Sequence, residues 1–285
     1  MRADSAPEGR SGIAGWTVGA LEAVLLRRFP SDEAEEWDRT GLLVGDPSSP
    51  AAGVAVALDA TVRAVRSAVR LGANVLVTHH PAYLDPPARI SPAGPGAFGP
   101  GTVVWEAVRT GVALMNFHTA LDASEEAAAV LPGMLGLELR GIVDVRVPRN
   151  GHGYGQLCDI PAAAGMTAGE LAARALRVFG RQPRIWGDAE ARIRTAVTCT
   201  GSQSGLARIC VASGYDALVC GEVRYHDALD AAEAGLVIVE LGHDVSELPL
   251  CGVLASSLRD AGFPESAIAV LDQNSNWATP DLLRK

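Results

Sequence analysis

Asn74-Val75-Leu76-Val77-Thr78-His79-His80-Pro81 is the stretch from which the fold can be read. A short apolar run rich in β-branched residues, with Gly72 before it and Pro81 after it, reads as a buried strand. Side chains on a strand alternate between faces, so adjacent histidines share a site only if the strand stops at Thr78 and the chain turns, as Pro81 implies. Both imidazoles then lie at the C-terminal end of a strand, where open α/β sheets keep their sites. Taken alone, His-His-Pro reads equally well as one packed and one solvated histidine, and the rest of the chain has to decide.

Upstream, residues 53–59 (GVAVALD) form a second strand, and a helix over 62–71, capped by Asp59 or Thr61, closes at Gly72. Strand, helix and the His-His strand make one βαβ unit, which calls for a parallel pair and a right-handed crossover. Further upstream, Thr17 caps a helix running to about residue 28, and residues 42–44 form a short strand bounded by glycines. Downstream, residues 81–101 are rich in proline and glycine and too long for a plain connection, which marks an active-site loop or a mobile one. A helix over 102–110 and a strand over 112–116 follow, ending in Phe117-His118-Thr119-Ala120-Leu121-Asp122 and a helix to about residue 131.

The periodicity weakens from 131 to 150, which places a domain boundary there. Beyond it the reading is a strand over 153–160, a helix over 167–179 with a Thr167/Glu170 capping box, and strands over 184–187 and 192–199. Thr200-Gly201-Ser202-Gln203-Ser204-Gly205 joins a strand to a helix and can hold an anion on its amides, though it lacks the Gly-Lys-Ser/Thr ending of a P-loop. A strand over 216–220 leads to Gly221-Glu222 and a helix to Ala234. A strand over 236–240 leads to Gly242-His243, then a helix over 247–261 and a last strand over 267–271. Helix, Gly72, strand, His79-His80 matches helix, Gly235, strand, Gly242-His243, the mark of a duplicated fold.

The 285 residues suffice for two modest domains. A net charge of −9 without a basic stripe argues against nucleic acid as a partner. No apolar run reaches the roughly 20 residues that span a bilayer, and residues 1–15 lack a signal-peptide core; they read as a disordered leader on a cytoplasmic protein. Five cysteines without a Cys-x-x-Cys pair read as core thiols rather than a disulfide framework or a zinc site.

The metal-capable residues at strand ends are His79, His80, His118, Asp122, Glu222, His226, His243 and Glu247. Of the six histidines, only His152 lies outside this set. In His118-x₃-Asp122 and His243-x₃-Glu247 the two side chains share a face if the segment forms a helical turn. Imidazole with carboxylate and no thiolate suits Zn²⁺, Mn²⁺, Fe²⁺, Co²⁺ or Ni²⁺. The candidates outnumber the three ligands of one catalytic ion, whereas two ions roughly 3.5–4 Å apart, bridged by a carboxylate, use such a set better. His118 serves either as a ligand or as a proton carrier beside the ligands, and the second is favoured. Glu222 and His226 read as acid/base or substrate contacts at the rim, or as plain structure. Trp37 and Asp38 read as an aromatic anchor and a capping carboxylate.

In order, Trp37-Asp38, Gly41-Leu42-Leu43-Val44-Gly45, Thr78-His79-His80-Pro81, His118-Thr119-Ala120-Leu121-Asp122, Gly201-Ser202, Gly221-Glu222 with Tyr225-His226, and Gly242-His243 with Ser246-Glu247 resemble the YbgI/NIF-three-like family, also called GTP cyclohydrolase 1 type 2 homologs. The likeness spans about residues 17–275. It implies two pseudo-symmetric α/β domains of the NIF-three-like fold, with a dinuclear metal centre at strand C-terminal ends between them, facing an internal cavity. It also implies a toroidal homohexamer. The family's ligands fall on His79, His80, Asp122, His243 and Glu247. Three positions depart from the family pattern: Ala120 stands where an Asn is usual, Asp244 where an aromatic follows the Gly-His, and Cys220 where a Thr precedes Gly221. None removes a ligand; all alter the pocket lining.

The expected organisation is a leader over 1–16, a metal-binding α/β domain over 17–130 plus 241–285, and a second α/β domain over 131–240. The expected function is that of a cytoplasmic metal-dependent hydrolase holding two divalent ions. A metal-bridging hydroxide would attack a nucleotide or pterin-like small molecule, GTP being the named candidate, while His118, His226 and Glu222 move protons or contact substrate. The competing class is a non-enzymatic metal-binding scaffold, chaperone or regulatory interaction protein.

Overall fold

Val75–Thr78 is a strand, buried throughout, and Thr78 is its last residue. The computed structural model describes residues 12–161, 165–274 and 276–278. In chain order its strands are β1 (Gly41–Val44), β2 (Val54–Ala57), β3 (Val75–Thr78), β4 (Ala113–Asn116), β5 (Glu138–Val147), β6 (His152–Asp159), β7 (Met166–Thr167), β8 (Arg184–Trp186), β9 (Arg192–Ile193), β10 (Thr195–Ser202), β11 (Ala217–Glu222), β12 (Val237–Glu240) and β13 (Ile268–Val270). Its α-helices are α1 (Val18–Arg28), α2 (Val62–Arg70), α3 (Pro100–Thr110), α4 (Thr119–Asp122), α5 (Glu125–Ala128), α6 (Val130–Leu135), α7 (Ala168–Phe179), α8 (Ser204–Ser213), α9 (Tyr225–Glu233), α10 (His243–Glu247) and α11 (Leu250–Asp260).

The chain divides into two units, with breaks after Leu121 and after Leu250. The expected breaks lay after 130 and after 240, and packing explains the difference. The α10 helix lies on β10 and β11, while α5 and α6 pack on β5, β6, β10 and α7, so both segments belong to the inserted second unit. His243 and Glu247, expected in the first domain, are therefore in the second.

The first unit holds a five-stranded sheet of order β1-β4-β3-β2-β13. From β4 to β13 neighbouring strands are parallel, and β1 joins β4 antiparallel. Ala55, Ala57, Leu76 and Leu114 on the sheet pack with Val65 and Ala68 of α2 and Ala107 of α3. Residues 1–11 of the expected leader lie outside the described residues. Beyond them, the Ile13 amide donates to the Ala51 carbonyl at 2.7 Å and Trp16 stacks edge-on to Phe263, so residues 13–16 are part of the fold. The stretch 81–99 is held in places: Arg39 Nε donates to the Leu84 carbonyl at 3.0 Å and Tyr83 Oη to the Leu43 carbonyl at 3.3 Å.

The second unit holds a six-stranded sheet of order β5-β6-β10-β11-β12-β8, with β10, β11 and β12 parallel and the outer strands antiparallel. Alternation divides its core: Val219, Val237 and Val239 pack with Leu131 and Leu171 on one face, Leu218, Cys220 and Ile238 with Cys210 and Ala228 on the other.

Setting β2-α2-β3-α3-β4 beside β10-α8-β11-α9-β12 shows the duplication: three parallel strands, then an antiparallel edge strand (β1 or β8) beside the last. The expected match paired Gly72 with Gly235. In the fold, Gly72 precedes the middle strand β3, whose partner β11 is preceded by Gly214, whereas Gly235 precedes β12, the partner of β4. All five cysteines are free and buried. Among the described residues no helix is long and apolar enough to cross a membrane.

Candidate functional site

In the first unit three histidines gather where β3 and β4 end. The His79 amide donates to the Ala57 carbonyl and the His80 amide to the Leu58 carbonyl, so the chain keeps ladder contact for two residues past β3. This turn brings the rings together despite strand alternation, with centroids of His79 and His80 4.9 Å apart. His118 stands edge-on to both, at 5.1 Å and 5.5 Å. One ring nitrogen from each of His79, His80 and His118 lies within 4.8 Å of the others, close enough to be drawn onto one ion. The expected pair of ligands thus has a third imidazole within the same reach.

Each ring is held through Nδ1. His79, fully buried, approaches the Phe117 carbonyl at 3.2 Å; His80 approaches Asp59 Oδ1 at 2.9 Å; His118 approaches Asp38 Oδ1 at 3.3 Å. Asp38 also accepts from the Thr119 amide at 2.9 Å, so it caps α4, as expected, and orients His118 as well. Asn116 donates to the Arg39 carbonyl and fixes the same turn. Burial of Asp38 opposes its ionisation, but hydrogen bonds from His118 and Thr119 outweigh this and hold its carboxyl well below the usual carboxylate range. The Trp37 ring, half exposed, packs edge-on to His118 at 5.7 Å.

In the second unit the donors come from a helix. Gly242, at φ 105°, turns the chain out of β12 into α10 in a conformation that other residues rarely adopt. Pro249 follows the helix and supplies no amide for its continuation, so the helix expected over 247–261 begins only at Leu250, as α11, and α10 stands before it as a separate helix. His243 and Glu247, one helical turn apart, meet at 3.2 Å through Nε2 and Oε2; Glu247 is buried. His243 Nδ1 lies 3.0 Å from Glu222 Oε1. Asp122 accepts from Thr200 Oγ1 at 3.2 Å. A Cβ on Gly201 would sit 2.4 Å from Glu247 Oε1, and one on Gly221 would sit 2.6 Å from both the Gly201 carbonyl oxygen and Ser246 Oγ. Bare strand ends therefore let α10 come close.

Two expectations change. In the loop 200–205 two of the amides expected to face an anion are engaged within the fold: the Gly201 amide donates to Ser246 Oγ at 3.0 Å and the Gln203 amide to the Glu222 carbonyl at 2.9 Å. His226 lies exposed on α9 with its ring edge-on to Tyr225, and among the described residues it belongs to no group within metal-ligand reach. Sequence reasoning missed Asp59 as a partner of His80, offering it only as an alternative to Thr61 for the cap of α2. The cap of α2 is Thr61, whose Oγ1 accepts from the Ala64 amide at 3.0 Å, which leaves Asp59 for His80. Its place, directly after a parallel strand beside one ending in histidine, was the available signal.

Residues 16–276 match the model of the Duf34/NIF3 family (NGG1p interacting factor 3). A Streptomyces coelicolor protein named GTP cyclohydrolase 1 type 2 homolog is 33% identical over 248 residues, covering 85% of this chain and 84% of its own. Among solved structures, a Bacillus cereus protein related to NIF3 superposes with TM-score 0.82 at 19% identity, covering 94% of this chain and 100% of its own. The protein ybgI superposes with TM-score 0.75 at 21% identity, covering 93% and 100%.

Proposed function

The chain belongs to the Duf34/NIF3 family, and from that premise we propose that it binds two divalent metal ions and acts as a hydrolase on a nucleotide or pterin-like compound. The ligands in this reading are His79 and His80 of the first unit and Asp122, His243 and Glu247 of the second. The observation that carries it is the group His79, His80 and His118, three imidazoles with donor nitrogens within 4.8 Å of one another. Imidazole and carboxylate without thiolate is a donor set for Zn²⁺, Mn²⁺, Fe²⁺, Co²⁺ or Ni²⁺. The name of the Streptomyces coelicolor relative supports the substrate class.

Bound ions would supply Lewis acidity and a water acidified toward neutral pH. The chain's own residues do the rest. His118, gripped by Asp38 through Nδ1, is placed to carry a proton by Nε2. His79 and Glu247, both buried, keep their own donor atoms away from bulk water. His226, exposed at the start of α9, is the group we assign to substrate contact. We also propose that the chain self-associates, with the toroidal homohexamer as the expected form.

The test is metal content per chain by inductively coupled plasma mass spectrometry on protein purified without added metal, beside His80→Ala and Glu247→Ala, followed by turnover of GTP. About two ions per chain, reduced in both variants without unfolding, and GTP turnover lost with them, is the expected result. Metal without turnover on nucleotides or pterins would leave a metal-binding scaffold. No metal, even when Zn²⁺, Mn²⁺ or Fe²⁺ is offered, would end the reading.

A further inference from the structure

Four imidazoles in the two units use the same nitrogen for the same purpose. Nδ1 of His79, His80, His118 and His243 lies against, respectively, the Phe117 carbonyl, Asp59, Asp38 and Glu222, at 3.2, 2.9, 3.3 and 3.0 Å. A carbonyl or an ionised carboxylate can only accept, so each Nδ1 carries the proton and each Nε2 keeps its lone pair in the neutral ring. In water the neutral imidazole has no such partner to choose its tautomer. The placement recurs too: Asp59 stands two residues past β2 and grips a histidine past the adjacent β3, and Glu222 ends β11 and grips a histidine past the adjacent β12. At His243, Nε2 lies 3.2 Å from the buried Glu247 carboxylate, which puts this nitrogen and a carboxylate oxygen within reach of one ion.

We propose that Asp59 and Glu222 are positioning residues that hold Nδ1 of His80 and His243 and so present Nε2 of each ring as the nitrogen that takes metal. Asp38 stands in the same relation to His118. This rests on the metal-binding reading above and assigns Glu222 a task other than acid/base catalysis. A ligand imidazole oriented in this way loses less freedom on binding and is the more basic for its charged partner, and removal of such partners typically weakens metal binding 10–100-fold.

Two readouts test it on the full chain. The first is Zn²⁺ affinity, by competition with a chromophoric chelator, for the parent, Asp59→Ala, Glu222→Ala, and Asp227→Asn as a control at a carboxylate paired with arginines and not with a histidine. The second is the tautomer of the histidines in the metal-free protein, by ¹⁵N magic-angle-spinning NMR on histidine-labelled chain at about pH 8, above the ordinary imidazole pKa of about 6.5. We expect each alanine variant to bind Zn²⁺ about 10–100-fold more weakly at unchanged ions per chain. One histidine in each should move from Nδ1–H to Nε2–H, while Asp227→Asn matches the parent. Asp59→Asn and Glu222→Gln stand in if an alanine variant fails to fold. Affinity within threefold of a metal-binding parent overturns the proposal whatever the tautomers do. If the parent binds no metal, the hydrolase reading fails on its own, and the NMR still decides: a shifted tautomer supports positioning by these carboxylates and an unshifted one overturns it.

Discussion

The two units share a frame and differ in how they bring donors to it. Each has three parallel strands joined by helices and an antiparallel edge strand beside the third. The last rung between β3 and β4 is Thr78 with Asn116, and that between β11 and β12 is Cys220 with Glu240. Matching these rungs sets His79-His80 against Gly221-Glu222. The first unit thus places imidazoles directly on the strand end. The second leaves that place bare, and His243 and Glu247 arrive on α10, whose Ser246 Oγ occupies the space a Gly221 side chain would need. A strand end can carry a donor or admit a helix that carries one, and the sterics of one Cβ separate the two solutions.

Cysteine reactivity gives the largest effect by which the comparison can be broken. Cys158, Cys199, Cys210 and Cys220 fall in the second unit and Cys251 in the first. Burial pushes the thiols of Cys158, Cys199 and Cys210 up to about 12. At a given pH their thiolate content therefore falls on the order of 10³-fold below that of a free cysteine, and iodoacetamide should label the native chain correspondingly slowly. Mass spectrometry along a urea series then asks whether the units open separately. Labelling of the four before Cys251 shows separate opening, and simultaneous labelling of all five shows one cooperative transition.

Gly221→Ala is next. Its Cβ would meet Ser246 Oγ of α10 and the backbone carbonyl oxygen of Gly201 in β10, both at 2.6 Å, so the packing of α10 on the strand ends must loosen. The expected cost is about 1–3 kcal/mol in chemical denaturation, with weaker metal retention because His243 and Glu247 move with the helix. An unchanged midpoint would show that the bare strand end is not what admits α10.

How much of this was legible follows from local signals. The β3 strand and its histidines were readable because an apolar run stands between a glycine and a proline and ends in polar residues. The β5 strand was not: Glu138, Arg140, Asp144 and Arg146 alternate with Leu139, Val143, Val145 and Val147, but Gly141-Ile142 interrupts the period midway along an edge strand largely open to solvent. The α10 helix is shorter than two turns, too short for a periodic pattern, and only Gly242 and Pro249 mark it. The duplication was sensed from Gly-strand-His repeats but set one strand out of register, since both units place a glycine before each of two strands. Asp59 was passed over because its partner, His80, lies 21 positions away and only the pairing of the two strands joins them.

A smaller effect belongs to the first unit alone. Glu106 on α3 is almost fully buried and accepts from Arg66 Nε at 2.9 Å and Arg109 Nη2 at 2.7 Å. Those hydrogen bonds, Arg66 first, hold its carboxyl below the ordinary value of 4.5. A depressed folded-state pKa stabilises above the unfolded value and is lost as pH falls through the folded one. Glu106→Gln should therefore cost about 1 kcal/mol near neutral pH, discounted for two half-exposed arginines. The gap to the parent should close as pH falls below 4.5. A gap that persists in acid would place the cost in packing rather than charge.

Helix caps give the finest contrast. In the first unit Thr61 Oγ1 accepts from the Ala64 amide at 3.0 Å, and nothing answers in the other direction. In the second, Thr167 Oγ1 accepts from the Glu170 amide at 3.1 Å while Glu170 Oε2 accepts from the Thr167 amide at 2.7 Å. Alanine keeps a backbone N–H, so Thr167→Ala loses only half of its box, whereas Thr61→Ala loses all of its cap. We expect about 1 kcal/mol for Thr61→Ala and about 0.5 kcal/mol for Thr167→Ala. Adding Glu170→Ala to the latter should bring its loss to that of Thr61→Ala or beyond. Equal losses from the two single variants would mean that the returning carboxylate bond adds nothing at this exposed end, and that the two units cap these helices to the same effect.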